Sequence, residues 1–385
     1  MKNAKDIEDK YGLNLFAKRG ISLVRGEAAR VWDDTGKEYI DCTAGHGVAS
    51  IGHAHPAVVD AMTNQGNRLI TCTGSFYNPV RAELMEKLIK LSPSPLSKVF
   101  LCNSGTESVE AAIKFARISS GRTEFIAAMR GFHGRTMGAL SATHNPKYRT
   151  PFEPLIPGFN HVPYNNYEAI LKSVNENTAA IILEVIQGEG GVHSGTQDYF
   201  SQVQELCKSQ GIFLIIDEVQ TGFGRTGKLF ACEHFDIHPD ILCISKAIAG
   251  GFPMGAVLCS EKVKISFGKH GTTFGGNPLA CAVSLAALNV ILTENLAQQA
   301  YEKGKYFLKE FSKHKLKVVR EVRQFGLMVG IELKEKAQKY IDELQQEGIL
   351  VLAAGQSVIR LLPPLVISYE EIDVVIKKLI HALRD

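Results

Sequence analysis

Lys246 sits where an ammonium is poorly solvated. Its segment, ILCISKAIAGGFPMGAV (241–257), is otherwise apolar, glycine or proline apart from Ser245. Desolvation lowers the pKa of such a lysine and leaves a neutral amine that can form a Schiff base with a carbonyl. A lysine snorkelling from a strand end is the ordinary alternative. Asp217 is the second candidate. IFLIIDEVQTG delivers it at the C-terminal end of an apolar run, with Glu218, Val219 and Gln220 just beyond. Ligands bind at that edge of open parallel sheets, although a turn-capping aspartate would read the same way from this segment alone.

Two further segments add complementary chemistry. In KVFLCNSGTESVEAAIKFAR, small polar residues join a strand to a helix. Gly105 lets the backbone approach closely, and Ser104, Thr106 and the free N–H groups of the first turn suit a phosphate. An N-cap with Glu107 is the plainer reading. GFHGRTMGAL (131–140) sets Phe132, a histidine and Arg135 among glycines. Phe132 can cover a flat ring, and Arg135 can grip a carboxylate in bidentate fashion. Singly, each is more often a packed aromatic or a surface arginine. Together, a Schiff-base lysine, an acid for a pyridinium nitrogen, a phosphate cradle and a stacking ring meet the needs of pyridoxal phosphate (PLP).

These groups need a scaffold. Apolar runs at 98–102, 124–129, 179–184, 212–217, 241–245 and 255–259 read as strands, and 104–117 and 199–211 as helices. Continuous apolar strands alternating with helices predict a mainly parallel α/β sheet covered on both faces. The tail differs: strands in 315–333, 348–355 and 357–365 mix with helices near 335–347 and 369–384. The expected organisation is a large domain over 46–290 and a smaller α+β domain built from 1–45 and 291–385. Residue 56 is a proline placed to start a helix, HPAVVDAMTNQ.

Composition excludes several classes. The chain has 385 residues and a formal charge of +3, with no basic block for nucleic acid or a membrane surface. Its eight cysteines are scattered singly, without a CxxC pair, as expected of reduced thiols in a cytosol. The opening MKNAKDIEDKYG is polar and unlike a signal peptide, and no apolar run reaches membrane-spanning length. A cytoplasmic protein is expected.

GHAHP (52–56), NSGTESVEAAIKFAR, GFHGRT, EVIQGEGGV, DEVQTGFGRTG, SKAIAGGFPMGA, HGTTFGGNPLA and IRLLPPL follow one another along nearly the whole chain. In this order they resemble the class III (subgroup II) PLP-dependent aminotransferases, above all the acetylornithine and ornithine transaminases. The resemblance implies fold type I, with a mainly parallel central sheet, a smaller α+β domain and active sites shared across a homodimer. It makes Lys246 the Schiff-base lysine and proton shuttle, and Asp217 the partner of the pyridinium nitrogen. Gln220 would contact the ring hydroxyl, Phe132 would stack on the ring, and Glu218 and Val219 would line the cofactor. Gly105 and Thr106 would hold the phosphate, together with Thr273 of the partner subunit, where Thr272 would touch substrate. Arg135 would bind the carboxylate remote from the reacting amine. Arg360 would pair with the α-carboxylate of glutamate or 2-oxoglutarate, and Glu189 would neutralise Arg360 when the amine lacks that carboxylate, since an unpaired buried charge is costly.

The implied activity transfers a terminal amino group between N-acetylornithine, or a carrier-linked lysine or ornithine, and 2-oxoglutarate/glutamate, in arginine or lysine biosynthesis. Free ornithine and 4-aminobutyrate are alternative amines. CTAGHGVASIGHAHP (42–56) departs from the usual acetylornithine pattern and resembles enzymes whose substrate is tethered to a small acidic amino-group carrier protein (LysW type). His46 in that loop is a candidate substrate contact or a plain polar loop residue.

Three other readings compete. GFGRTG (222–227) fits the GxGxxG pattern of dinucleotide-binding dehydrogenases, but DEVQT intervenes after the strand and no helix opens on the glycines. His46, His53 and His55 are close together without an acidic or thiolate partner at fixed spacing, so no metal is expected. A non-enzymatic binding protein on the same fold would be favoured had Lys246, Asp217 or the phosphate loop been missing.

Overall fold

The computed structural model describes residues 4–384; the first three residues and the last, at the outer ends of the expected small-domain segments, lie outside it. Its centre is a seven-stranded sheet in the order Leu96–Cys102, Gly255–Ser260, Ile241–Ile244, Phe213–Asp217, Thr178–Leu183, Glu124–Ala128, Phe159–Val162. Gly255–Ser260 runs antiparallel to both neighbours, and the remaining pairings are parallel. Thr178–Leu183, Phe213–Asp217, Ile241–Ile244 and Gly255–Ser260 are buried at every position. Burial on both faces explains why these runs are continuously apolar rather than alternating.

Local sequence sets the helix ends. Gly105–Ser120 begins after Ser104, whose hydroxyl accepts from Glu107 N–H, and stops at Gly121, which takes the left-handed φ of 70°. Gln197–Gln210 is capped by Thr196 and stopped by Gly211 at φ 63°. Pro56 opens Pro56–Gly66, with the His55 ring accepting from Ala57 N–H. Pro278–Thr293, absent from the sequence expectation, is buried almost all round, so it shows no amphipathic stripe to betray it.

Leu23–Glu27, Arg30–Asp33 and Glu38–Asp41 form one sheet with Ile349–Leu350 from the other end of the chain. Val319–Phe325, Met328–Leu333, Val358–Leu361 and Leu352–Ala354 form an antiparallel sheet, which carries Arg360 opposite Gly330. Among the described residues, no single helix is long and apolar enough to cross a membrane.

Candidate functional site: a cleft at the carboxyl edge of the sheet

Asp217 and Lys246 come from neighbouring parallel strands. Asp217 lies opposite Cys243, and Glu218 N–H donates to Cys243 O at 2.9 Å, so Lys246 emerges three residues further along the same edge. The lysine has φ +47°. For a residue with a side chain this left-handed backbone costs on the order of 1–2 kcal/mol, a strain more typical of a working residue than of a surface lysine. Its side chain is partly accessible but enclosed by protein on most sides. Burial pulls the amine below the usual lysine range and Arg360 pushes the same way, against the charges of Glu189, Asp217 and Glu184.

Asp217 is fixed before any ligand arrives. One carboxylate oxygen accepts from Val219 N–H at 3.0 Å, and the other is 2.7 Å from His133 Nδ1. Both side chains are buried. In the sequence His133 stands out only as part of GFHGRT. Burial opposes its charge, but the hydrogen bond to Asp217 and the charges of Asp217 and Glu184 outweigh this and raise its pKa.

The phosphate-cradle candidate has the necessary shape. A Cβ on Gly105 would lie 2.6 Å from the Val219 side chain, so only glycine admits this approach. The Gly105 and Thr106 amides belong to the helix's first turn, where N–H groups have no intrahelical acceptor. Thr106 Oγ1 pairs with Thr136 Oγ1 at 2.7 Å and accepts from Thr136 N–H at 3.3 Å. Phe132 meets Tyr148 edge-on, with centroids 6.0 Å apart, and its N–H donates to Glu184 at 3.0 Å. An amine on a strand edge, a carboxylate held nearby, an amide cradle and an aromatic wall fit pyridoxal phosphate. The Glu218 carboxylate works elsewhere. It accepts from Thr221 Oγ1, Ala231 N–H and Cys232 N–H inside the fold and so secures the loop after the strand, leaving a main-chain role near the cofactor at most.

The opposite side of the cleft holds Arg360, fully covered, whose Nη2 donates to Glu189 at 2.6 Å and Nη1 to Gln220 at 3.2 Å. Glu189 itself is 32% exposed. The glutamate therefore lies on the solvent side of the guanidinium. Burial works against its charge, but the charge of Arg360 and the hydrogen bond from it keep Glu189 below the ordinary carboxylate range. Glu189 belongs to a glycine-rich turn: a Cβ on Gly188 would collide with Gln220, and Gly191 has φ +113°. Arg323 Nε holds the Gly191 carbonyl at 2.9 Å.

Arg135 is exposed and lies 3.7 Å over the Tyr148 ring, with no ion pair to a carboxylate among the described residues. Thr272 accepts from Gly275 N–H at 3.1 Å and from Asn103 Nδ2 at 3.4 Å, whereas Thr273 is exposed. His46, at φ 64°, feels the charges of Glu189, Arg360, Lys246 and Arg19, and burial lowers its pKa first. The other two histidines have structural partners: His53 meets Asp41 at 2.8 Å, and His55 caps its helix. The glycines of 222–227 lie in successive turns followed by a short 3-10 turn, so no helix start faces a dinucleotide there.

Comparison with known proteins agrees with this geometry. A model of the family described as "Aminotransferase class-III" matches residues 16–383. An acetylornithine aminotransferase of Methanopyrus kandleri is 49% identical, covering 99% of this chain and 99% of its own. A "[LysW]-aminoadipate semialdehyde transaminase" of Deinococcus radiodurans is 46% identical over 96% of this chain and 87% of its own. Among solved structures, an ornithine aminotransferase of Toxoplasma gondii, described with partial occupancy of PLP at its active site, superposes with a TM-score of 0.94. It is 34% identical over 98% of this chain and 93% of that one.

Proposed function

The chain belongs to the class-III aminotransferases, with fold type I and pyridoxal phosphate as cofactor, and from that premise we propose that it moves the terminal amino group of an acylated or carrier-linked ornithine or lysine. 2-Oxoglutarate is the acceptor; in the biosynthetic direction glutamate is the donor and the semialdehyde the acceptor. When bound, the cofactor supplies an aldehyde and a ring that draws electrons from the reacting carbon. Lys246 is the amine that would hold the cofactor, and its Nζ would carry the proton to and from the reacting carbon. Asp217 keeps the ring nitrogen protonated, with His133 behind it. Gly105 and Thr106 hold the phosphate with main-chain N–H groups, helped by Thr273 of the partner subunit. Phe132 covers one ring face, Val219 packs near the cradle, and Gln220 faces the ring hydroxyl.

The Arg360–Glu189 pair carries the substrate assignment. Glutamate brings an α-carboxylate to the reacting carbon, whereas a terminal amine brings none. With Glu189 closed, Arg360 is neutralised for the amine; with Glu189 displaced, Arg360 takes the α-carboxylate while Arg135 holds the remote one. An arginine left buried and unpaired would cost about 3–5 kcal/mol, enough to make the pairing decide which substrate binds. Thr272 and His46 line the substrate side. The names of the two relatives, one for acetylornithine and one for [LysW]-aminoadipate semialdehyde, support both branches of this reading. The turn holding His46 is where we place the choice between them, with a small acidic carrier protein as the partner in the second.

The enzyme works as a cytoplasmic homodimer, a reading supported by its eight free thiols and by exposed Phe76, Tyr77 and Phe274. The test is kcat/KM for acetylornithine, ornithine, 4-aminobutyrate and carrier-linked lysine, with glutamate regenerating the amino form of the cofactor. Preference for an acylated or carrier-linked amine is expected; preference for free ornithine or 4-aminobutyrate would overturn the assignment.

A further inference from the structure

Four adjacent parallel strands each bring one ionisable side chain to the same sheet edge. Lys246 follows Ile241–Ile244, Asp217 ends Phe213–Asp217, Glu184 follows Thr178–Leu183, and His133 lies beyond Glu124–Ala128. The reaction described above uses the first two directly and leaves Glu184 without a task. His133 Nε2 is buried and has no hydrogen-bond partner among the described residues, although Nδ1 is bound to Asp217 at 2.7 Å. Leaving a buried polar atom unsatisfied costs about 1–3 kcal/mol, so a partner for Nε2 is expected.

Glu184 is placed to supply one. A Cβ on Gly131 would lie 3.2 Å from His133 Nε2 and 3.5 Å from Glu184 Oε2. The same Cβ would lie 2.9 Å from Ala128 O, so the place is too tight for a methyl group, and the two polar atoms face one point there because residue 131 has no side chain. Phe132 N–H holds Glu184 Oε2 at 3.0 Å, so the carboxyl cannot turn away from His133 without losing a hydrogen bond.

We propose that Glu184 is a positioning residue whose carboxyl faces the Nε2 side of His133 beside Gly131 and keeps His133 an imidazolium whose Nδ1–H holds Asp217 against the ring nitrogen. The chain runs Glu184, His133, Asp217, ring nitrogen. It places a counter-charge on the far side of the buried aspartate.

The surroundings are consistent with a shared charge. Burial pushes Glu184 up to about 7, His133 and Lys246 pull it down, and Asp217 pushes it up. His133 is raised despite burial, by Asp217 and by Glu184. Tyr164 hydroxyl donates to the main-chain oxygens of Glu184 and Val185, and its ordinary ionisation is suppressed by burial. His161 also feels His133, and burial lowers it to about 4, so it is neutral at physiological pH.

The inference rests on pyridoxal phosphate occupying this edge, but it is tested on His133 without turnover, so its failure is separable from failure of the substrate assignment. Holoenzyme labelled with 15N-histidine is titrated by NMR, with the His133 signal identified by its loss in His133→Asn. Glu184→Gln should lower the midpoint of His133 ionisation by about one pH unit or more, roughly tenfold in proton affinity, while Glu184→Asp restores most of it. Glu184→Ala, which removes the carboxyl without adding volume, should lower it as well and serves if Glu184→Gln fails to fold. An unchanged His133 midpoint in either folded variant overturns the proposal.

Discussion

Along the sheet edge, Asp217 is bound by Val219, two residues away, and by His133 from the loop after Glu124–Ala128, both at close to ideal distances. Across the cleft, Arg360 and Glu189 are 171 positions apart, and the glutamate is partly exposed while the arginine is covered. The first region is fixed by buried hydrogen bonds that leave Asp217 one geometry. The second is a charge pair on a glycine-rich turn, with one member open to solvent. A cofactor that stays bound throughout turnover suits the fixed region; on the function proposed above, two substrates, one with a carboxylate at the reacting carbon and one without, suit the partly exposed one.

Variants on the fixed side should therefore damage every substrate equally. Lys246→Ala is the extreme case: turnover with any amine should fall by at least about 10³-fold, and substantial transamination by the purified variant would refute the assignment of this lysine. Gly105→Ala comes next. Its new Cβ meets Val219 at 2.6 Å, and relieving such overpacking costs about 1–3 kcal/mol, so PLP affinity should weaken roughly 5- to 100-fold by fluorescence titration. Wild-type affinity would mean that the cradle lies elsewhere.

Glu184 gives the smallest effect, one of stability against pH. Its folded pKa, about 7, lies above the ordinary value of 4.5. The protonated form therefore favours folding below about pH 4.5, and that contribution is lost as pH rises to 7, after which the fold bears a buried charge. Glu184→Gln avoids this loss. Its Tm relative to wild type should rise from pH 5 to pH 8, by at most about 3 kcal/mol in stability terms. A pH-independent difference would contradict the placement of this charge.

The sequence disclosed the fixed side well because its parts are short and contiguous. A buried strand ending in Asp217, a small-residue turn before Gly105–Ser120 and a lysine among apolar residues each carry a local physical signature. Asp217 and Lys246 could be placed on adjoining strands from the α/β alternation alone. The Arg360–Glu189 pair came only from resemblance, since nothing local in IRLLPPL or QGEGG says that they meet. Glu184 and the role of His133 went unread. Glu184 follows a fully apolar strand much as Asp217 ends one, and that shared position was the available signal. Glu184 and His133 both face the place where Gly131 lacks a side chain, and such an approach between distant residues has no sequence pattern. Pro278–Thr293 escaped for the opposite reason: burial all round erases the helical stripe.

The contrast between the two sides of the cleft is tested most directly by measuring both half-reactions of Glu189→Gln separately, by stopped-flow absorbance of the bound cofactor. With the glutamate charge removed, Arg360 stays unpaired when the terminal amine binds, so that half-reaction should slow by about 10²-fold or more. The glutamate half-reaction, in which Arg360 has the α-carboxylate, should change by less than about fivefold. Equal losses in both would contradict a movable glutamate and leave the pair as an ordinary buried salt bridge.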